Sequence, residues 1–461
     1  MPNELGTKQR SLRVAIVGSG PSGFYAVESL YKSQLSIAVG MFDRLPAPFG
    51  LVRYGVAPDH HKIKNVTKVY EKTTEREGFR FFGNVNVGVD ITLHQLRKYY
   101  DAVIFAYGAE TDRKLGIEGE DLKGSHTATE FVAWYNGHPD HQHHQFDLSC
   151  DTAVIIGQGN VALDVARILS KTVDELKDTD ITQNALDVLA KSKIKNVHMV
   201  GRRGPAQAAF TPVEIREFGE LANCAPVVNP NDLELNYASQ TELEDPKNAP
   251  KKKNYEILKN LAEIEPGDKE KRFYLHFRKS PAAMYDNKDG KLDRLYLERN
   301  TLVGEPGKQK SKGTGEKETI KCGILFRSVG YRGLPLKGLP FSDQAGVIPN
   351  QEGRVMDSEH IFPGLYAVGW IKRGPSGIIG TNKPDSEETV KNLLDDIKEL
   401  NPCKSPSDEA VIELLKENNI RYVTFEDWKK IDAAEIANGQ KVGKPREKFT
   451  SVEAMLAVLN T

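Results

Sequence analysis

Cysteine is scarce in this chain, and the four present, Cys150, Cys224, Cys322 and Cys403, are far apart. There is no C-x-x-C pair and no metal-ligand spacing. That excludes a dithiol redox centre, an iron–sulfur cluster and a secretory disulfide framework, and it fits a reducing compartment. Net charge is lacking too: 63 basic against 64 acidic side chains leave −1 over 461 residues. The balance argues against a general nucleic-acid binder and a polybasic membrane protein, while leaving room for a local basic patch. No apolar run approaches the roughly 20 residues that span a bilayer, so membrane association is expected to be peripheral at most. The opening MPNELGTKQRSLR lacks the apolar core of a signal peptide and is short for an organelle presequence. A soluble protein is expected, with length for two or three domains at about 100–200 residues each.

What is present is one grammar used twice. Leu12 to Val17 is a short apolar run, followed by Gly18-Ser-Gly20-Pro-Ser22-Gly23 and a helical stretch from Phe24 to Lys32. A second strand, Ser36 to Phe42, ends in Asp43. The pattern returns at Thr152 to Ile156, with Gly157-Gln158-Gly159-Asn160-Val161-Ala162, a helix from Leu163 to Ser170, and a strand from Asn196 to Val200 ending in Gly201-Arg202-Arg203. Strands alternating with helices predict parallel sheets and an α/β fold. Farther on, Arg272 to Phe277 and Leu292 to Asn300 read as strands joined by a turn at Asn287 to Gly290. The stretch from Gly304 to Glu318 has almost no apolar residues and reads as a mobile surface loop without a role. Cys322 to Gly330 and Gly364 to Trp370 read as buried strands, and the tail from Asp408 as helical.

Glycines at these spacings let the backbone turn tightly and approach a pyrophosphate, which then sits at the helix N-terminus. At the first copy Asp43 lies 20 residues after Gly23, in place to bond ribose hydroxyls. The second copy ends in two arginines instead. Two guanidinium forks suit a 2′-phosphate, which an acid would repel, so NADP is expected there rather than NAD; a solvated basic turn is the plain alternative. Two dinucleotides in one chain most simply mean a flavin fed by a nicotinamide. Without a C-x-x-C, disulfide-reductase chemistry is excluded.

The segments PFGLVRYGVAPDHHKIKN (from Pro48), GQGNVALDVARIL (from Gly157), VGRRGPAQAAFTPVEIRE (from Val200), GWIKRGPSGIIGT (from Gly369) and GKPREK (from Gly443) closely resemble the adrenodoxin reductase family, which has bacterial relatives. The resemblance covers almost the whole chain and thins between about Pro230 and Glu318. It implies two Rossmann-like dinucleotide-binding domains of glutathione-reductase type, the second inserted in the first. The expected bounds are 1–110 and 336–461 for the FAD domain and 111–335 for the NADPH domain. It places FAD at Gly18, Gly20, Ser22, Gly23, Asp43, Leu51, Val87, Trp370, Gly377, Ile378 and Ile379. NADPH falls at Gln158, Gly159, Asn160, Val161, Arg202, Arg203, Glu214 and Gly377. Hydride would pass from NADPH to FAD, and single electrons to an acidic [2Fe–2S] ferredoxin received by Arg216 and the run Lys251, Lys252, Lys253. A flavin is the adapter such a reaction needs, because hydride carries two electrons and the cluster accepts one.

Some features depart from the family pattern. Asp43 stands where glutamate is usual, so its ribose bond is expected to need a small backbone shift. His61 and Lys62 replace Pro-Glu after His60. The basic run is all lysine, with Ala249 at a position that can be basic. Of the polar stretch after Gly380, only Asp385 is carried over. His60 and Asp164 are the titratable pair expected near flavin and nicotinamide. Either they handle protons and orient the cofactors, or His60 is an ordinary loop histidine and Asp164 favours its helix dipole. The tetrad His138, His141, His143, His144 fits no zinc pattern and reads as polar loop, so no metal is expected. A flavin monooxygenase handing electrons to oxygen and an NADPH-binding redox sensor remain as rivals. By resemblance the protein is expected to be a monomer of the mitochondrial matrix supplying P450 enzymes or iron–sulfur and haem A assembly. Any basic leader is expected to have been trimmed or never present.

Overall fold

The computed structural model describes residues 5–460. Two sheets organise them. The first has seven strands, in the order Asn350–Gln351, Arg354–Met356, Ile361–Ala367, Ala102–Phe105, Leu12–Val17, Ile37–Phe42, Phe79–Phe82. Leu12–Val17 pairs in parallel with a neighbour on each side and is buried along its whole length, which is why it reads as an unbroken apolar run. Three of the seven strands come from beyond residue 349, so the chain leaves this sheet and returns to it. The C-terminal helices return as well: Val390, Trp428 and Met455 share one core with Leu12, Phe24 and Val27.

The second sheet is built from the residues between. Its six strands run in the order Ser125–Thr127, Ile324–Arg327, Thr152–Ile156, Asn196–Val200, Lys271–His276, Cys224–Val228. All five of its pairings are parallel. The helix Asn160–Ser170 packs on it and buries every residue from Ala162 to Ser170. Both fingerprint helices begin three residues earlier than the sequence pattern suggests, at Pro21 and Asn160, because Gly20 and Gly159 are themselves the N-caps.

The structure corrects two readings. Lys271–His276 belongs to the six-stranded sheet, and the turn at Asn287 to Gly290 instead joins Lys279–Asp286 to Leu292–Val303. The stretch read as a mobile loop is in large part a strand, Lys310–Lys321, paired antiparallel with Leu292–Val303. It is the mostly exposed edge of a three-stranded sheet. Its lysines and glutamates need no core to pair through the backbone, and charge on an edge discourages further strands from adding. Among the described residues no helix is long and apolar enough to cross a membrane.

Candidate active site

The first glycine turn is shaped by close approach. Gly18 has φ +106°, and a Cβ there would stand 2.6 Å from the Ala106 carbonyl oxygen; at Gly23 one would lie 2.4 Å from Gly18 O. Gly20 differs, because a Cβ there meets nothing within 4 Å. As the uncapped N-cap of the helix Pro21–Tyr31 it leaves the first N–H groups of that helix available to an anion. The segment from Pro48 closes on this turn: Phe49, held at φ +84°, donates its N–H to Ser19 O (3.0 Å). Asp43 reaches the turn directly. Its Oδ2 accepts from Ser19 N (3.0 Å) and Ser19 Oγ (2.5 Å), and its Oδ1 from Leu45 N (3.0 Å). Burial pushes this carboxyl above its usual range, against the pull of those bonds. The C-terminal motif also comes back here: a Cβ on Gly369 would strike Ser22 Oγ, and Ser386 Oγ donates to Ser22 O (3.0 Å). Asp385 accepts from Gly369 N (2.5 Å) and thereby fixes the turn leading to Trp370. Trp370 Nε1 donates to Ser376 O (3.2 Å), beside Gly377. Leu51, Gly377 and Ile378 are exposed and Ile379 is half-buried, whereas Val87 is buried in the core with Phe42 and Phe82.

The second turn repeats the geometry, again with an open side: a Cβ on Gly159 meets nothing within 4 Å. Gln158 lies over Gly201 and donates to His276 O (3.3 Å). Asn160 is already committed, because its Oδ1 accepts from Thr211 N (2.8 Å) and ties down the chain before Glu214. Val161 packs against the six-stranded core. Arg202 is exposed and Arg203 half-buried, and neither guanidinium has a partner among the described residues. Their backbone is anchored, by Asn300 Nδ2 to Arg202 O (2.9 Å) and Arg278 N to Arg203 O (2.9 Å). Two unpaired guanidinia on a fixed turn suit a divalent anion. The open turns, the half-buried acid at one and the free arginines at the other fit FAD and NADPH respectively.

Where the two sheets meet lies an ionic cluster that the sequence only half shows. Arg167, completely buried, places Nε and Nη2 on the two oxygens of Asp59 (2.8 and 3.0 Å), Nη2 on Asp164 (2.7 Å) and Nη1 on Glu214 (3.2 Å). Glu217 is 3.3 Å from Arg167 Nε, and Lys171 reaches Asp59 at 2.7 Å. The expected pair is not a direct one: His60 Nδ1 and Asp164 are 3.9 Å apart, while His60 Nε2 is 3.1 Å from Glu217 and 3.6 Å from Glu214. Sequence reasoning thus found His60, Asp164 and Glu214 but not Asp59, Arg167 or Glu217. One signal was there, an arginine inside the apolar stretch LDVARIL. Burial opposes charge on His60, but Glu217 and then Glu214 outweigh it and raise its pKa. Burial, followed by the field of Asp164, lifts Glu214 to about 7. The Arg167 guanidinium already fills the place a metal ion would take among these oxygens.

Of the basic residues, Arg216, Lys252 and Lys253 are exposed without a partner among the described residues, whereas Lys251 is paired with buried Glu242 (2.6 Å). Their two helices, Pro212–Arg216 and Ala249–Ala262, are held together through Asn254 Nδ2 to Phe210 O (2.7 Å). The histidine tetrad is a group of neighbouring rings on a short turn, with His141 stacked on His144, their Nδ1 and Nε2 3.3 Å apart, and His138 against Tyr54.

Residues 12–209 match the pyridine nucleotide-disulphide oxidoreductase family. The chain is 46% identical over 463 residues to the NADPH-ferredoxin reductase FprA of Mycobacterium tuberculosis, covering 97% of this chain and 99% of that one. It is 43% identical over 467 residues to the human mitochondrial NADPH:adrenodoxin oxidoreductase, covering 98% and 93%. The solved structure of Mycobacterium tuberculosis FprA in complex with NADPH matches with TM-score 0.91 and 44% identity, over 98% of this chain and 100% of that one. The chain therefore belongs to the family of NADPH-ferredoxin and NADPH:adrenodoxin oxidoreductases, and it is an oxidoreductase.

Proposed function

We propose that this protein is an FAD-dependent NADPH:ferredoxin reductase, passing electrons singly to an acidic [2Fe–2S] ferredoxin. The observation that carries the reading is the pair of open glycine turns, one beside a half-buried aspartate and the other beside two unpaired arginines. FAD and NADPH supply the hydride chemistry and the step down from electron pairs to single electrons. The protein supplies no nucleophile. Gly18 to Gly23 and Asp43 hold one nucleotide, with Ser22 and Trp370 brought to the same place by the Gly369 turn. Gly159 and the Arg202–Arg203 turn hold the other. Asn160 serves by fixing the Thr211 backbone. Val87 acts as packing beneath the first site, while Leu51, Gly377, Ile378 and Ile379 line its exposed side. We read 1–110 with 336–461 as the FAD domain and 111–335 as the NADPH domain, supported by which segments feed which sheet.

For the partner we propose Arg216, Lys252 and Lys253 as the surface that attracts an acidic ferredoxin, with Lys251 excluded by its bond to Glu242. Opposite charge steers such encounters and speeds association. We propose a monomer of the mitochondrial matrix that supplies P450 enzymes or iron–sulfur and haem A assembly; of this, the mitochondrial placement is supported by relatives named as mitochondrial in human and Arabidopsis thaliana. The test is NADPH oxidation by the FAD-loaded chain with and without a [2Fe–2S] ferredoxin. Turnover that requires ferredoxin supports the reading. Equal oxidation in air without it points to an oxygen-reducing enzyme instead.

A further inference from the structure

The proposed reaction leaves a proton over. NADPH and two oxidised ferredoxins become NADP⁺, two reduced ferredoxins and H⁺, since the ferredoxins take only electrons. A titratable protein group at the boundary of the two sheets is one acceptor for that proton on its way to water.

The cluster around Arg167 has the charge for it. Its acids are four, Asp59, Asp164, Glu214 and Glu217; its cations are three, Arg167, Lys171 and, when protonated, His60. Tyr135 and Tyr331 face Asp164 as neutral phenols, their pKa values raised by burial. A buried surplus of one negative charge is costly, so one carboxyl should carry a proton. The distances say which. Asp59 receives both arms of the Arg167 fork and the Lys171 ammonium, which hold it well below the usual carboxylate range, and Asp164 has a 2.7 Å bond to Arg167 that opposes the upward push of its burial. Glu217 has His60 at 3.1 Å and is 30% exposed. Glu214 is left with the weaker contacts, 3.2 Å to Arg167 and 3.6 Å to His60, at 10% exposure.

We propose that Arg167 is a positioning residue: by pinning Asp59 and Asp164 as carboxylates, it leaves Glu214 as the acid that exchanges a proton at the boundary between the two nucleotide sites. The inference rests on the reductase reading for its purpose, but its geometry does not depend on that reading. Glu214 is 3.6 Å from His60, whose Nε2 is also 3.1 Å from Glu217, and Glu217 is 30% exposed, so the exchanged proton has a short way to solvent through that pair.

The test is an infrared pH titration of the purified chain as isolated, following the carbonyl band of a protonated carboxyl. In the native protein one band should vanish with a midpoint near 7, and Glu214→Gln should lack it. Asp59→Asn makes the cluster neutral with Glu214 ionised, so the midpoint should fall by about one pH unit or more; Arg167→Gln should raise it by a similar amount. No titrating band in the native protein, or midpoints unmoved by Asp59→Asn, would overturn the proposal, even if Arg167→Gln fails to fold. The titration uses neither NADPH nor ferredoxin, so its failure leaves the reductase reading standing. A chain that takes up no FAD would sink that reading without touching the titration.

Discussion

His60 and Glu217 face each other across the boundary between the two sheets, with Nε2 3.1 Å from Oε1. The pair joins the loop before His61–Lys64 to the end of the Pro212–Arg216 helix, and it raises the imidazole pKa above its ordinary 6.5. A group with a raised folded-state pKa stabilises the fold fully below its unfolded value, and the contribution is lost as pH rises through the folded value. Glu217→Gln should therefore cost most at about pH 6 and progressively less as pH rises through the folded imidazole value. Denaturant unfolding of both proteins across that range checks the slope. A pH-independent difference would mean that the bond acts without charge.

At the second glycine turn, Arg202 and Arg203 spend no charge on the protein itself. Replacing both by glutamine should remove roughly 1.5–3 kcal/mol of charged hydrogen bonding to a 2′-phosphate for each bond lost. That corresponds to at least a tenfold rise in KM for NADPH with NADH nearly unaffected. Steady-state rates with both donors check it, and equal losses would assign the arginines to the fold.

Arg216 lies outside the glycine turns and has no partner to lose. Arg216→Glu should spare reduction of a small dye by NADPH while slowing ferredoxin reduction, and raising the salt should shrink the difference. Stopped-flow at two ionic strengths reads this. Parallel losses with both acceptors would place the arginine in the cofactor site.

A second buried ionic group fastens the C-terminal segment. Asp180 lies between Lys64 (2.7 Å) and Lys448 (3.0 Å), while Lys444 donates to Ile181 O (3.1 Å) and Gln183 N to Glu447 (2.9 Å). Burial, only partly offset by Asp180, depresses Lys448 to about 7. Asp180→Asn would strand the buried Lys448 ammonium and the half-buried Lys64 ammonium and should cost about 3–5 kcal/mol at neutral pH. A base with a depressed folded pKa favours the fold fully above its unfolded value and loses that contribution as pH falls through the folded one. The variant should therefore regain stability as pH rises toward about 10, the ordinary lysine value. Thermal unfolding from neutral to alkaline pH decides; a loss that does not shrink would point to packing rather than charge.

The glycine turns were legible in the sequence because they are local: Gly18 to Gly23 and Gly157 to Ala162 each lie within six residues, and backbone geometry dictates them. The cluster was not, because Asp59, Arg167 and Glu217 are far apart along the chain and meet only when the segment from Leu51 docks on the Asn160–Ser170 helix. The strand Lys310–Lys321 escaped notice for a different reason. It is held by backbone pairing at an exposed edge, so it carries no apolar alternation. Asn160 was read as a nucleotide contact, and its bond to the Thr211 N–H appears only in three dimensions.

The most direct test of the central claim is the visible spectrum of the FAD-loaded chain without oxygen, titrated first with NADPH or NADH and then with oxidised [2Fe–2S] ferredoxin. The account predicts flavin bands that bleach at one equivalent of NADPH, bleach poorly with NADH, and return when ferredoxin is added. A chain that binds no FAD, or a reduced flavin that ferredoxin fails to reoxidise, would contradict it.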